Sequence, residues 1–373
     1  MYVVDGETYL VVDAQVHAWD ASPHNQAGPA GELFAADLLR RHRELDGSAV
    51  PLPEVERVTE DGLSRDVFGG GYVDHAVLQP VVLGELFVLG FSPVAWHAEL
   101  AARMPGKFVL SGELDPDAGQ PGARGIAAKV RRWDMRGLTF CESRRPGGRM
   151  ELRETWLRRA LARCAASGAG VVHLGVAPSA GPAPWRRWRA AAGQRRPGRT
   201  PPRLPSWAEP VRSGSALPVR TRPVQRVASA GFDLAQFREL ATALPRTSFV
   251  LGAGCLPADD LCRLARLPNV HVVLTDILPW ISATDARADF GRALGELLIA
   301  YGPERLLFGS GYPLVRPGRL VAQFASYRFP DELRGRYRDL DADARRAILG
   351  GNAARLYGIE GGRMAPSVSA RRG

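Results

Sequence analysis

The chain has 373 residues, 45% of them hydrophobic and 24% charged, with a formal net charge of +10. Such a composition is that of a soluble globular protein and excludes a fibrous or wholly disordered chain. The charge is localised: residues 178–230 hold eleven Arg and a single acid, Glu209, which accounts for the entire excess. The remainder is neutral, which excludes the general basicity of a nucleic-acid-binding body.

Only Lys107 and Lys129 are lysines, so the Arg count reads as a coding bias toward Arg, Ala, Gly and Pro. No apolar run reaches the roughly 18 residues that mark a membrane span. The N-terminus carries Asp5 and Glu7 where a signal peptide would be basic. Cys141, Cys164, Cys255 and Cys262 show neither zinc-finger spacing nor a disulfide pattern. Together these features predict a cytoplasmic protein with reduced thiols and no membrane partner.

In chain order, the first short apolar run is TYLVVDAQVHAW, with a buried strand expected at Leu10, Val11 and Val12. DHAVLQPV, KFVLSGELDP, MRGLTFCES and AGVVHLGV follow, and beyond the basic segment come TSFVLGAG, NVHVVLTD and RLLFGSGYP. Helical spacing of apolar residues lies between them at 93–104, 125–133, 152–167, 234–244, 258–267 and 290–301. Eight strands alternating with helices predict a parallel sheet closed into a single (β/α)8 TIM barrel. An open doubly wound sheet is the alternative, weakened because no G-x-G-x-x-G turn follows an early strand.

Segment 178–230 has ten prolines and no Ile, Phe, Tyr, Lys, Asp or His. It cannot bury enough apolar surface to offset its ordering entropy, which predicts a long disordered basic insertion after strand five. A reading-frame shift in a GC-rich gene would give the same composition. A nucleic-acid arm, with Trp185, Trp188 and Trp207 stacking among arginines, is the least favoured alternative. The expected layout is 1–177 for strands one to five, 178–230 for the insertion, 231–360 for strands six to eight with a closing helix, and 361–373 as a flexible tail.

In such a barrel functional groups sit at the C-terminal ends of the strands. The candidates are Gln15 and His17, Gln79, Glu113 and Asp115, Cys141 and Glu142, His173 and Asp276. Gln15 and His17, two apart, face the same side of a strand and could address one metal ion. Cys141 and Cys255 lack a nucleophile signature, Glu142 and Arg144 read as a solvated loop, and His271 stands at the wrong end of its strand. Gly309, Gly311 and Pro313 could serve only the turn after strand eight. GNAARLYGI reads as the closing helix, with Asn352 as N-cap and Leu356 packing inward.

From Tyr9 to Ile359, VVDAQVHAWD, VLQPV, VVHLG, FVLGAGCLP, RLLFGSGYP and GNAARLYGI resemble, in this order, the amidohydrolase-related proteins (amidohydrolase 2 type). The branch they resemble contains amino-carboxymuconate-semialdehyde decarboxylase and related metal-dependent hydrolases and decarboxylases. The resemblance implies a divalent metal, zinc first, and a small carboxylated or cyclic substrate. Against the family's Asp-x-His-x-His, Gln15 stands at the first metal-binding His and His17 at the second; His173 matches the strand-five ligand. Ala253 stands where the family commonly has a proton-transferring His, and Gly311 where Gly-Ser-Asp-Tyr-Pro has its Asp. His17, His173 and Gln15 are therefore the candidate ligands and Asp276 the candidate catalytic carboxylate, with Glu113 as its rival. The departures open a second expectation, a catalytically inactive barrel that binds a ligand or partner, which could be a second copy of the chain.

Overall fold

The computed structural model describes residues 1–46, 52–81, 83–115, 119–140, 151–174, 232–282, 287–333, 335–337, 339–360 and 363–364. The basic segment 178–230 and Cys141, Glu142 and Arg144 lie outside them.

A two-stranded antiparallel hairpin, β1 (Tyr2–Val4) and β2 (Glu7–Tyr9), opens the chain. Eight parallel strands follow: β3 (Val12–Val16), β4 (His75–Leu78), β5 (Phe108–Leu114), β6 (Gly137–Phe140), β7 (Val171–Leu174), β8 (Ser248–Gly252), β9 (Val270–Val273) and β10 (Leu306–Leu307). They pair in sequence order, β3 at one edge and β10 at the other. The seam is joined by Ala14 N–H to Phe308 O at 2.9 Å, Gly311 N–H to Gln15 O at 3.0 Å and His17 N–H to Tyr312 O at 2.9 Å. The (β/α)8 barrel expected from the alternation is the fold observed.

The first strand starts two residues later than its apolar run suggested. Tyr9 ends the hairpin, and the Val11 N–H is taken by the Asp74 carboxylate at 2.9 Å, so the parallel ladder begins at Val12 opposite His75. One long helix, Pro29–Asp46, was not anticipated. Its inner face includes His42 and Asp46, which bond backbone groups at 313–316, so the buried stripe is only partly apolar. Near the C-terminus Arg363–Met364 pairs antiparallel with Ile359–Glu360.

Inward-facing valines on β3, β4, β5, β7, β8 and β9 form a core separate from the one beneath the outer helices. The C-terminal helical segment plugs its lower end. That segment starts at Ala342, capped by the Asp341 carboxylate on Ala344 N–H at 2.8 Å, and runs through a π turn at Ala347–Gly351 into Asn352–Tyr357. Asn352 is therefore inside a continuous helical run and not at its N-cap. Its amide instead donates to the carbonyls of Pro303 and Leu306, both at 2.7 Å, where it holds the plug to the entrance of β10. Leu356 packs against the barrel core as expected.

Candidate functional site

The upper interior of the barrel collects the polar candidates. His17, one residue beyond β3, is buried against Trp19, and its Nδ1 bonds the Gln79 carbonyl at 2.8 Å. Its Nε2 is buried with no hydrogen-bond partner. His173 lies on β7, level in the ladder with Thr139 and Glu113 on the two preceding strands. Its Nε2 bonds the Tyr357 hydroxyl, and its Nδ1 is buried and unpartnered. Tyr357 rises from the plug helix past Gly137 at the start of β6, where a Cβ would meet the Tyr357 ring at 3.5 Å.

Gln79, just past β4, joins His17 to Thr139, the ladder neighbour of His173. Its amide nitrogen donates to Ala14 O at 3.2 Å and its amide oxygen accepts from the Thr139 hydroxyl. A third histidine, His97, sits on the helix Val94–Arg103 and bonds Ser92 Oγ at 2.9 Å.

Burial sets the electrostatics. It pushes His17 down to about 4, partly offset by the Gln79 carbonyl. Burial and the nearby His17 hold His173 and His97 down to about 3. All three are neutral at pH 7. Burial also lifts Asp13 to about 6, against the pull of hydrogen bonds from Ser310 and Gln15. That carboxylate accepts the N–H groups of Gln15 at 3.1 Å and Ser310 at 2.9 Å, which links the first and last strands.

Gln15 reaches the same interior. A Cβ on Gly309 would lie 2.5 Å from Thr275 Oγ1 and 3.3 Å from the Gln15 Cβ, so these three residues meet. Asp276 Oδ2 accepts the Gly254 N–H of the turn after β8 at 2.9 Å. Ala253 has no proton-transferring atom. Gly311 has φ +71°, and a Cβ there would stand 2.8 Å from Thr275 Cγ2. A side chain at 311 thus meets both backbone strain and a filled space.

A family model for amidohydrolases (Amidohydro_2) matches residues 12–359. The chain belongs to the amidohydrolase family. The match spans all eight barrel strands and the plug helix. No curated protein sequence matches the chain. Among solved structures, an uncharacterised TIM-barrel protein from Bordetella bronchiseptica aligns at 16% identity and TM-score 0.56, covering 93% of this chain and 98% of its own. An amidohydrolase from Burkholderia multivorans with bound zinc aligns at 17% and 0.55, covering 94% and 100%. A 2,6-dihydroxybenzoate decarboxylase from Rhizobium aligns at 13% and 0.55, covering 95% and 100%. At these identities the likeness is one of fold.

Amidohydrolase membership raises the question of a metal. A catalytic zinc takes three protein ligands and keeps one open position. This amidohydrolase-family interior offers one open nitrogen on each of His17 and His173 and the neutral amide of Gln15. Among the described residues no three His, Cys, Asp or Glu side chains stand together as a metal-binding group. The donor set does not fit a three-ligand zinc centre.

Of the groups named from sequence, His17, His173, Gln15 and Gln79 share the interior, while Asp276 serves the turn after β8. Sequence reasoning missed Tyr357, Thr139, His97 and Asp13. Tyr357 lies in a motif read as a closing helix, and nothing local marks it as reaching a histidine 184 residues away. Asp13 stood inside the strand-one motif and could have been singled out as a buried acid.

Proposed function

We propose that this amidohydrolase-family barrel binds a small polar molecule among its interior histidines and does so without a metal-bound water. The observation that carries the reading is the engagement of His173 Nε2 by Tyr357. It is supported by Ala253 and Gly311, which leave nothing to move a proton at those two positions. His17 and His173 then act as neutral hydrogen-bonding groups in a site closed to bulk water, where each unsatisfied nitrogen gains strongly from a matching ligand.

The competing reading is a zinc-dependent hydrolase or decarboxylase of a small carboxylated or cyclic substrate. It draws on one observation: His17 fixes Nδ1 on a carbonyl and keeps Nε2 open, as metal-ligating histidines do. The two readings separate in a thermal unfolding experiment with 0.1 mM ZnSO4 against EDTA. A site with Kd near ~1 μM would add about 2.7 kcal/mol at 100-fold excess, roughly 5 °C for a domain of this size. We expect no rise. A rise of that size that disappears in His17→Ala would establish the zinc enzyme instead.

A further inference from the structure

The hydrogen bonds around His173 fix where each proton sits. A backbone carbonyl only accepts, so the Gln79 amide nitrogen donates to Ala14 O. The Gln79 oxygen accepts from the Thr139 hydroxyl. The Tyr357 hydroxyl is buried and its hydrogen-bond partner is His173 Nε2; a ring N–H at that position would leave the buried O–H without an acceptor, so the hydroxyl donates. His173 Nε2 must then be the lone-pair nitrogen, and the proton of the neutral ring is on Nδ1. The same logic is simpler at His17, whose Nδ1 faces a carbonyl and so carries the proton.

We infer that Tyr357 is a positioning residue that fixes His173 as an Nδ1–H donor, so that the two interior histidines present one open donor and one open acceptor. Of these two histidines, Nδ1–H of His173 and Nε2 of His17 are the buried ring positions left unpartnered. A metal ion needs a lone pair on both and finds it on one. A carboxylate supplies acceptors only and meets the lone pair of His17. A hydroxyl or a carboxamide carries both a donor and an acceptor, which makes it the chemical class that suits the pair. Turning His173 over to a metal would require its proton to move to Nε2, leaving the Tyr357 O–H without an acceptor.

The inference rests on the metal-free reading, and its test is made on EDTA-treated protein so that the two can fail separately. Long-range 1H–15N correlation spectra of 15N-His protein at pH 7.5 distinguish the two neutral tautomers, with His17 and His173 assigned from His17→Gln and His173→Gln. The expected result is Nδ1–H for both. Tyr357→Phe keeps the ring but removes the donor, and should release His173 to the Nε2–H tautomer or a mixture while His17 stays unchanged. His173 found as Nε2–H in the unaltered protein overturns the inference, and that spectrum needs no folded variant. Nδ1–H persisting undiminished in Tyr357→Phe overturns the role of Tyr357. Zinc taken up stoichiometrically would instead overturn the metal-free reading, whatever the tautomer.

Discussion

Acidification from pH 7 to pH 4.5 is expected to unfold the barrel cooperatively, with stability falling at about 4 kcal/mol per pH unit below pH 6. Four histidines titrate well below their ordinary value because they are buried: His17 and His271 at about 4, His97 and His173 at about 3. The unfolded chain takes up these protons near pH 6.5, whereas the folded one does not until pH 4 or below. Each histidine therefore contributes stability that is whole above pH 6.5 and is lost, at about 1.4 kcal/mol per unit, as the pH falls toward its folded value. Asp13 has the opposite sign. Its folded value of about 6 is above that of the unfolded chain, so between pH 6 and 4 the folded state holds a proton the unfolded state lacks and acidification favours folding by a similar slope. Four terms against one leave a net loss, and a domain with roughly 5–15 kcal/mol of stability exhausts it within a few pH units. Circular dichroism melts at pH 7.5, 6.5, 5.5 and 4.5 check this. A melting temperature independent of pH over that range would show that the interior histidines are not buried and neutral.

Replacing Gly350 with Ala is expected to cost about 3 kcal/mol, against the usual gain of up to ~1 kcal/mol for Ala over Gly in a helix. A Cβ at 350 would stand 2.2 Å from Leu10 O, 2.8 Å from Leu10 C and 3.2 Å from Val12 N. All three are backbone atoms at the entrance to β3, so no rotamer change relieves the contact. The plug must lift from the barrel, and Tyr357, seven residues on, must retreat with it. Gly351→Ala is the matched control: its nearest contact is Arg346 O at 3.1 Å, within the same helical run. Chemical denaturation should therefore separate Gly350→Ala from Gly351→Ala by ~2 kcal/mol or more. Equal stabilities would mean that the plug is not seated on Leu10.

The same plug shows what could be seen in the sequence and what could not. Strand β7 was legible to the residue, because Val171–Leu174 is a short apolar run bounded by Gly and flanked by a helical pattern. The first strand was displaced because its apolar run, Leu10 to Val12, begins in the link between the hairpin, which ends at Tyr9, and the barrel strand, which starts at Val12. The helix Pro29–Asp46 escaped notice because part of its buried face is polar. At the site, Gln15, His17 and His173 could be placed from motifs that each occupy a few adjacent residues. The partnership that defines their state could not. It joins β4, β6, β7 and the C-terminal helix, and depends on which of two ring nitrogens a distant phenol addresses, a property of three-dimensional packing that no local spacing encodes. Asn352 failed as an N-cap for a similar reason: Asp341 starts the helical run eleven residues earlier, leaving Asn352 to bond carbonyls at the entrance to β10.

The most direct measurement is zinc stoichiometry. Protein dialysed to equilibrium against 10 μM ZnSO4 and then against metal-free buffer should retain well under one zinc per chain by mass spectrometry of the ion, with the same value for the His17→Ala/His173→Ala double variant. Retention of one zinc per chain, lost in the folded double variant, would contradict the account and place this barrel among the metal-dependent enzymes.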